Sequence, residues 1–164
     1  MEYEIDFLPV GEGSSSGDAI CLRYSDDEGA SWHVGVIDGG TQSSGESLCE
    51  HIKTHYNTEV VDFVICTHPD KDHASGLSKV FDELTVKKLL MHCPWNYVDH
   101  IFESVTDGRI TKESMRERLI NGHPYAYKIY EYAIENEIPV HHPFSDRNDH
   151  NIPYLDIVGP SGDF

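Results

Sequence analysis

The feature that most constrains the fold is a nearly unbroken apolar run at residues 60–66, VVDFVIC. A short run rich in β-branched residues fits a strand that is buried on both faces, as the strands of a parallel sheet are. Apolar residues recur at helical spacing on both sides of it, at Leu48, Ile52 and Tyr56 before the run and within residues 77–84 after it. The order helix–strand–helix predicts an α/β architecture.

Further strands and helices are predicted on both sides of this run. Three strands near the start, at 3–8, 19–24 and 32–37, predict an antiparallel opening sheet. Ser43 and Glu46 have the spacing of a capping box, which predicts that the next helix begins there. After the apolar run the patterns predict strands at 86–91, 138–142 and 154–158, and helices at 95–105, 112–121 and 124–137.

The composition excludes some classes of protein. The chain has 164 residues, enough for one domain with a sizeable core. Its 29 acidic and 12 basic residues give a net charge of −17, which leaves no basic footprint for nonspecific nucleic-acid binding. No apolar run approaches the roughly 20 residues of a membrane helix. The N-terminus is acidic where a secretory signal would be basic, so we expect a cytoplasmic protein.

Four side chains of metal-ligand type stand close together directly after the apolar run. They are His68, Asp70, Asp72 and His73, within the segment THPDKDH. In open α/β sheets ligands bind beyond the carboxyl ends of the strands, so this position suits a site. Pro69 favours an extended backbone, in which side chains 68, 70 and 72 would point the same way. Imidazole and carboxylate ligands suit zinc, and also manganese or iron.

The segment resembles the T-H-x-H-x-D-H signature of the metallo-β-lactamase superfamily. Asp70 stands where most members have a second histidine. The H-x-D-x-D-H form resembles the hydrolase domain of the bacterial competence DNA-uptake channel and its stand-alone relatives. Three other runs resemble landmarks of that group in the same order, namely SGDAI at 16–20, VIDGG at 36–40 and LDIVGPS at 155–161.

The resemblance implies a fold and a domain organisation. The fold is an αβ/βα sandwich of two similar halves, with the metals between the sheet edges. This chain would be the first half, an α/β (α+β) unit with a mixed sheet and helices on one face. Residues 1–164 would form a single N-terminal portion of such a domain, truncated before the second half.

The resemblance also implies two divalent metal ions, zinc in the first place and manganese or iron as alternatives. His68 and Asp70 would bind the first ion, and Asp72 and His73 the second. Asp72 would also orient or deprotonate the attacking water, and Asp38 would support the site. His92 ends the strand predicted at 86–91, on the same sheet edge as His68, which makes it a candidate for substrate contact.

Further metal ligands in this superfamily come from the second half of the domain. We therefore expect this chain alone to be incomplete and inactive, with the remaining ligands supplied by a missing second half or by a second copy. Half of a two-layer fold would also expose an apolar sheet face, which favours self-association or docking of that second half.

The sequence supports three hypotheses about function. The first is hydrolysis by a metal-activated water, because a divalent ion lowers the pKa of bound water to about 7. The H-x-D-x-D-H form favours a phosphodiester or related ester, in a small molecule or a nucleic acid, whereas the acidic composition favours other substrates. The alternatives are a non-catalytic binding or assembly module on the same fold and an iron-dependent redox protein, because a fold alone does not fix function.

Overall fold

The computed structural model describes residues 1–11, 17–105, 108–145 and 151–162. Six strands form one sheet in the order β1-β2-β3-β5-β7-β8, and β4 and β6 form a separate parallel pair. The first three strands are antiparallel, and the pairs β3·β5, β5·β7 and β7·β8 are parallel. The strands are β1 Glu2–Phe7, β2 Ala19–Ser25, β3 His33–Gly39, β4 Val60–Val61, β5 Phe63–Cys66, β6 Thr85–Val86, β7 Leu89–Met91 and β8 Val140–His141.

The described residues contain six α-helices between the strands, together with a π-helical turn at Ile52–Tyr56 and a 3-10 turn at Pro94–Asn96. Within the described parts of the chain, no helix has the length and apolarity that crossing a bilayer requires. The helices are α1 Gln42–His51, α2 Lys71–Ala74, α3 Leu77–Glu83, α4 Val98–Glu103, α5 Lys112–Gly122 and α6 Pro124–Glu135.

The main core lies between the helices and one face of the large sheet. Leu48 of α1, Leu77 of α3 and Ile129 of α6 belong to one buried cluster with sheet residues such as Val36 and Val64. Burying such aliphatic side chains contributes roughly 1.5–3 kcal/mol each. The expected fold class, a mixed α/β sheet with helices on one face, is therefore confirmed.

A second, smaller cluster covers part of the opposite sheet face. It joins Phe63 and Leu90 to Ile152, with Leu155 and Ile157 packed against it. The strand predicted at 154–158 is wrong, because this segment crosses the sheet face and pairs with no strand. Its backbone turns into the left-handed region at Tyr154 (φ 61°), which ends an extended course.

The edge of the same face, along β1, stays open to solvent. Tyr3, Ile5 and Phe7 alternate along β1, and all three side chains are exposed. Their antiparallel partners include Tyr24 and Leu22, which lie in the second cluster, so the exposed row and that cluster share a face. This largely apolar sheet face is thus covered only over part of its width.

Two element boundaries differ from the sequence predictions for identifiable reasons. The run at 60–66 divides at Asp62, whose carboxylate accepts a hydrogen bond from the Val34 amide at 2.8 Å and pairs with Lys87 at 2.7 Å. Strand β4, before Asp62, therefore pairs with β6, whereas β5, after Asp62, joins the six-stranded sheet. Helix α1 is capped by Thr41, whose hydroxyl accepts a hydrogen bond from the Ser44 amide, so Ser43 is not the cap.

Gly76, between α2 and α3, allows two backbone segments to touch. Its amide donates to the carbonyl of Gly40 at 2.9 Å. A Cβ atom at position 76 would lie 1.9 Å from the Gly39 carbonyl oxygen and 2.4 Å from that of Thr41. This contact fixes the helix that follows β5 against the end of β3.

Gly76→Ala is expected to destabilise the protein by roughly 1–3 kcal/mol, because an added methyl group must displace backbone atoms in a packed contact. The measurement is the urea midpoint of unfolding. Gly122→Ala is the matched control, because a Cβ there meets nothing within 4 Å. Equal midpoints for the two variants would contradict the proposed contact.

Candidate metal centre

The candidate site forms where β3 and β5 end. These neighbouring strands are parallel, with Ile37 opposite Ile65, so both strands end at the same edge of the sheet. Asp38 follows on β3, and the loop from Thr67 leads into α2, which carries His73. The topology therefore brings Asp38 into direct contact with Thr67 and His73, which lie 29 and 35 positions further along the chain.

Asp38 is the centre of this contact. Its side chain is 1% exposed. It accepts hydrogen bonds from the Thr67 amide at 2.8 Å, from the Thr67 hydroxyl, and from Nδ1 of His73 at 2.9 Å. Its backbone is left-handed, with φ 55°. That conformation costs a non-glycine residue about 1–2 kcal/mol, and aspartate is among the side chains that tolerate it best.

The directions of these hydrogen bonds determine the tautomers of two histidines. A carboxylate only accepts, so His73 donates from Nδ1 and Thr67 donates from its hydroxyl. The Thr67 hydroxyl has no second proton, so it accepts the 2.9 Å hydrogen bond from Nδ1 of His68. Both imidazoles then carry their proton on Nδ1, which leaves the Nε2 lone pairs of His68 and His73 available to a metal ion.

The imidazole rings of His68 and His73 lie next to each other. Their centroids are 3.7 Å apart, and the ligand atoms of Asp38, His68 and His73 all lie within 4.8 Å of one another. His73 is nearly buried, whereas the His68 side chain is 44% exposed, so the cluster opens to solvent on one side. Two imidazole nitrogens are ligands that suit zinc, and also manganese or iron, with Asp38 as the supporting partner of His73.

Asp70 and Asp72 do not belong to this compact group. Asp70 immediately precedes α2, and its Oδ2 lies 4.0 Å from Nε2 of His68 on a side chain that is 65% exposed. Asp72 is half-buried in the first turn of α2. The expectation that 68, 70 and 72 share one direction is wrong, because the helix begins at Lys71 and ends the extended backbone. Metal binding by these two aspartates stays a prediction.

Asp18 lies near the site and was missed as a site residue in the sequence. Its Oδ2 is 3.8 Å from Nδ1 of His73. The neighbouring Gly17 packs on α2, since a Cβ there would lie 1.8 Å from the carbonyl oxygen of Asp72. The sequence feature that could have identified Asp18 is the SGDAI run at 16–20, of which Ser16 lies outside the described residues.

A cleft of about 690 Å³ adjoins the exposed side of His68. His92 lies on this cleft, so the structure places it beside the candidate centre. Burial lowers the pKa of His92, and nearby His142 lowers it further. The described lining residues are Thr67, His68, Pro69, His92, Pro94, Tyr97, His100, Ile101, His123, Phe144 and Gly162.

No protein family and no curated protein matches the chain. The solved structures that are similar to parts of it include two metallo-β-lactamases. One is the metallo-β-lactamase SMB-1 bound to 2-mercaptoethanesulfonate, with 19% identity over 44% of this chain and 26% of that one, and a TM-score of 0.35. The other is a HARLDQ-motif metallo-β-lactamase from Cronobacter sakazakii, with 14% identity over 57% and 33% of the two chains and a TM-score of 0.40.

The matched region spans only a quarter to a third of the length of these two proteins. Both bear the name of the superfamily that the THPDKDH segment resembles. The fold class and the candidate centre are defined by the strand order and the hydrogen bonds of this chain itself.

Metal-free protein is expected to show both His68 and His73 as the Nδ1-protonated tautomer. Long-range proton–nitrogen NMR correlations distinguish this tautomer from the commoner alternative. Thr67→Val removes the acceptor for His68 but leaves the Asp38 partner of His73 in place. We therefore expect the His68 tautomer to change and that of His73 to persist. Detection of the Nε2-protonated form at both residues in the unmodified protein would contradict the assignment.

Proposed function

We propose that this chain carries the metal-binding part of a metal-dependent hydrolase that acts through a metal-activated water. The observation that carries the proposal is the pair of imidazoles whose Nε2 atoms are left free by the hydrogen bonds to Asp38 and Thr67. A divalent ion at such a site supplies Lewis acidity, which lowers the pKa of bound water from 15.7 to about 7. Zinc is the first choice, and manganese or iron are alternatives.

Different residues of the chain would have different roles at such a site. His68 and His73 would hold an ion, with Asp70 facing His68 from the solvent side. Asp38 keeps His73 in the binding tautomer and, through Thr67, does the same for His68. Asp72 is proposed as a ligand of a second ion and as the residue that orients or deprotonates the attacking water, which requires its side chain to turn toward the cluster.

We propose a phosphodiester, or a related ester, as the substrate. The overall charge of −17 opposes anion approach at long range. Salt screens this repulsion beyond about 8 Å at physiological ionic strength. The described lining of the cleft contains four histidines and no carboxylate, so an anionic ester meets hydrogen-bonding imidazoles there. Whether it is a small molecule or part of a nucleic acid is decided by assay.

We further propose that residues outside this chain complete the site. His68 and Asp70 face solvent on the side where further ligands would have to approach. The exposed row of Tyr3, Ile5 and Phe7 is an apolar surface that a second half or a second copy would cover. We also propose that the protein is cytoplasmic.

The test is hydrolysis of a nitrophenyl phosphodiester, single-stranded DNA and RNA in the presence of zinc or manganese. The protein assayed is the product of the complete reading frame. His68→Ala is expected to lower kcat/KM by on the order of 100-fold or more, because it removes a ligand and not only a supporting partner. His33→Ala is the control, because His33 lies at the opposite end of β3.

Substrates left intact by metal-loaded protein would contradict the phosphodiesterase proposal. If the protein still bound zinc at His68 and His73, the binding or assembly module would be the better account. Purified protein that contains iron and reacts with a reductant would instead favour the redox hypothesis.

A further inference from the structure

A second group of metal-ligand side chains lies away from the candidate centre, where the edge of the sheet meets α1. Asp6 and Cys21 are directly opposite each other in the β1–β2 register, so their side chains share a face. His51, the last residue of α1, points its Nε2 at Oδ2 of Asp6 over 3.1 Å. The ligand atoms of the three residues all lie within 4.8 Å of one another.

The donor set and its spacing fit a tetrahedral ion. Zinc binds thiolate sulfur at about 2.3 Å and imidazole nitrogen or carboxylate oxygen at about 2.0–2.2 Å, so ligand atoms of one tetrahedron are roughly 3.3–3.6 Å apart. His51 Nε2 and Asp6 Oδ2 are 3.1 Å apart, slightly closer than in such a tetrahedron, and the Cys21 sulfur lies within 4.8 Å of a ligand atom of each. Cys21 is fully buried, while Asp6 and His51 are partly exposed, so an ion can enter from the surface.

The helix end beside this group carries a further histidine and a supporting partner for Asp6. Directly after His51 the chain makes a π-helical turn, Ile52–Tyr56, a rare conformation that is often found at functional sites. His55 follows His51 at the H-x3-H spacing common in zinc sites, with the two rings 4.5 Å apart. The Tyr56 hydroxyl donates to Oδ2 of Asp6 at 2.6 Å, which orients the carboxylate.

We propose that Asp6, Cys21 and His51 bind a zinc-class divalent ion, with His55 as the fourth ligand. The ion fastens the edge strand β1 to the end of α1. Burial raises the pKa of the Cys21 thiol to about 11 in the metal-free protein. Binding therefore forms a metal–sulfur bond and releases the thiol proton to solvent, and it forms a metal–nitrogen bond at His51 Nε2 as the imidazole proton moves from Nε2 to Nδ1. This site shares no residue with the candidate centre and does not depend on the proposed hydrolase activity.

The test is titration with cobalt(II), whose bond to a thiolate gives a charge-transfer band in the near ultraviolet. The titration uses the His68→Ala, His73→Ala double variant, in which the other centre is removed. We expect one equivalent of cobalt to bind and the thiolate band to appear. Adding Cys21→Ser should abolish the band, whereas Cys49→Ser, a matched change at another buried cysteine, should leave it unchanged.

His51→Ala provides a second variant at a partly exposed position, where loss of the fold is less of a concern. It should weaken cobalt binding at least tenfold, with the circular dichroism spectrum unchanged. The proposal is overturned if the double variant gives no thiolate band. It is also overturned if the band survives Cys21→Ser, or if His51→Ala, folded, binds cobalt as tightly as its parent.

Discussion

The rest of the candidate centre depends on one interaction, the capture of three hydrogen-bond donors by the buried carboxylate of Asp38. Two donors come from Thr67 and one from His73, so the end of β3 is joined to both the loop after β5 and the helix α2. A buried carboxylate without such partners would be strongly unfavourable. The same bonds that satisfy Asp38 hold two imidazoles in one tautomer, so stability and metal-binding geometry have a common cause.

Much of this arrangement could be predicted from the sequence, because its signals are local. The apolar run at 60–66 and the helical spacing that surrounds it indicated an α/β sheet, and a histidine-rich loop at a strand end indicated the place of the site. His68 and His73 are indeed together there. Asp38, expected to lie near them in a supporting role, contacts His73 directly.

The rest depends on contacts between distant residues, which a single sequence does not reveal. Asp18 lies near His73 because the segment before β2 packs on α2, and Asp6 lies near His51 because the end of α1 reaches the edge strand of the sheet. The backbone at Asp72 was predicted to be extended, but α2 begins one residue earlier, at Lys71, so Asp72 lies in a helical turn. Residues 154–158 have strand composition, but they cover a sheet face instead of extending it.

The central claim is that the two imidazoles oriented by Asp38 bind a divalent ion through nitrogen. X-ray absorption at the zinc edge tests it most directly, on Cys21→Ser protein loaded with one equivalent of zinc so that the thiolate site does not compete. The account predicts a first shell of nitrogen and oxygen that includes two imidazoles and no sulfur. A shell that contains sulfur or lacks the imidazoles, or a protein that retains no zinc, would contradict it.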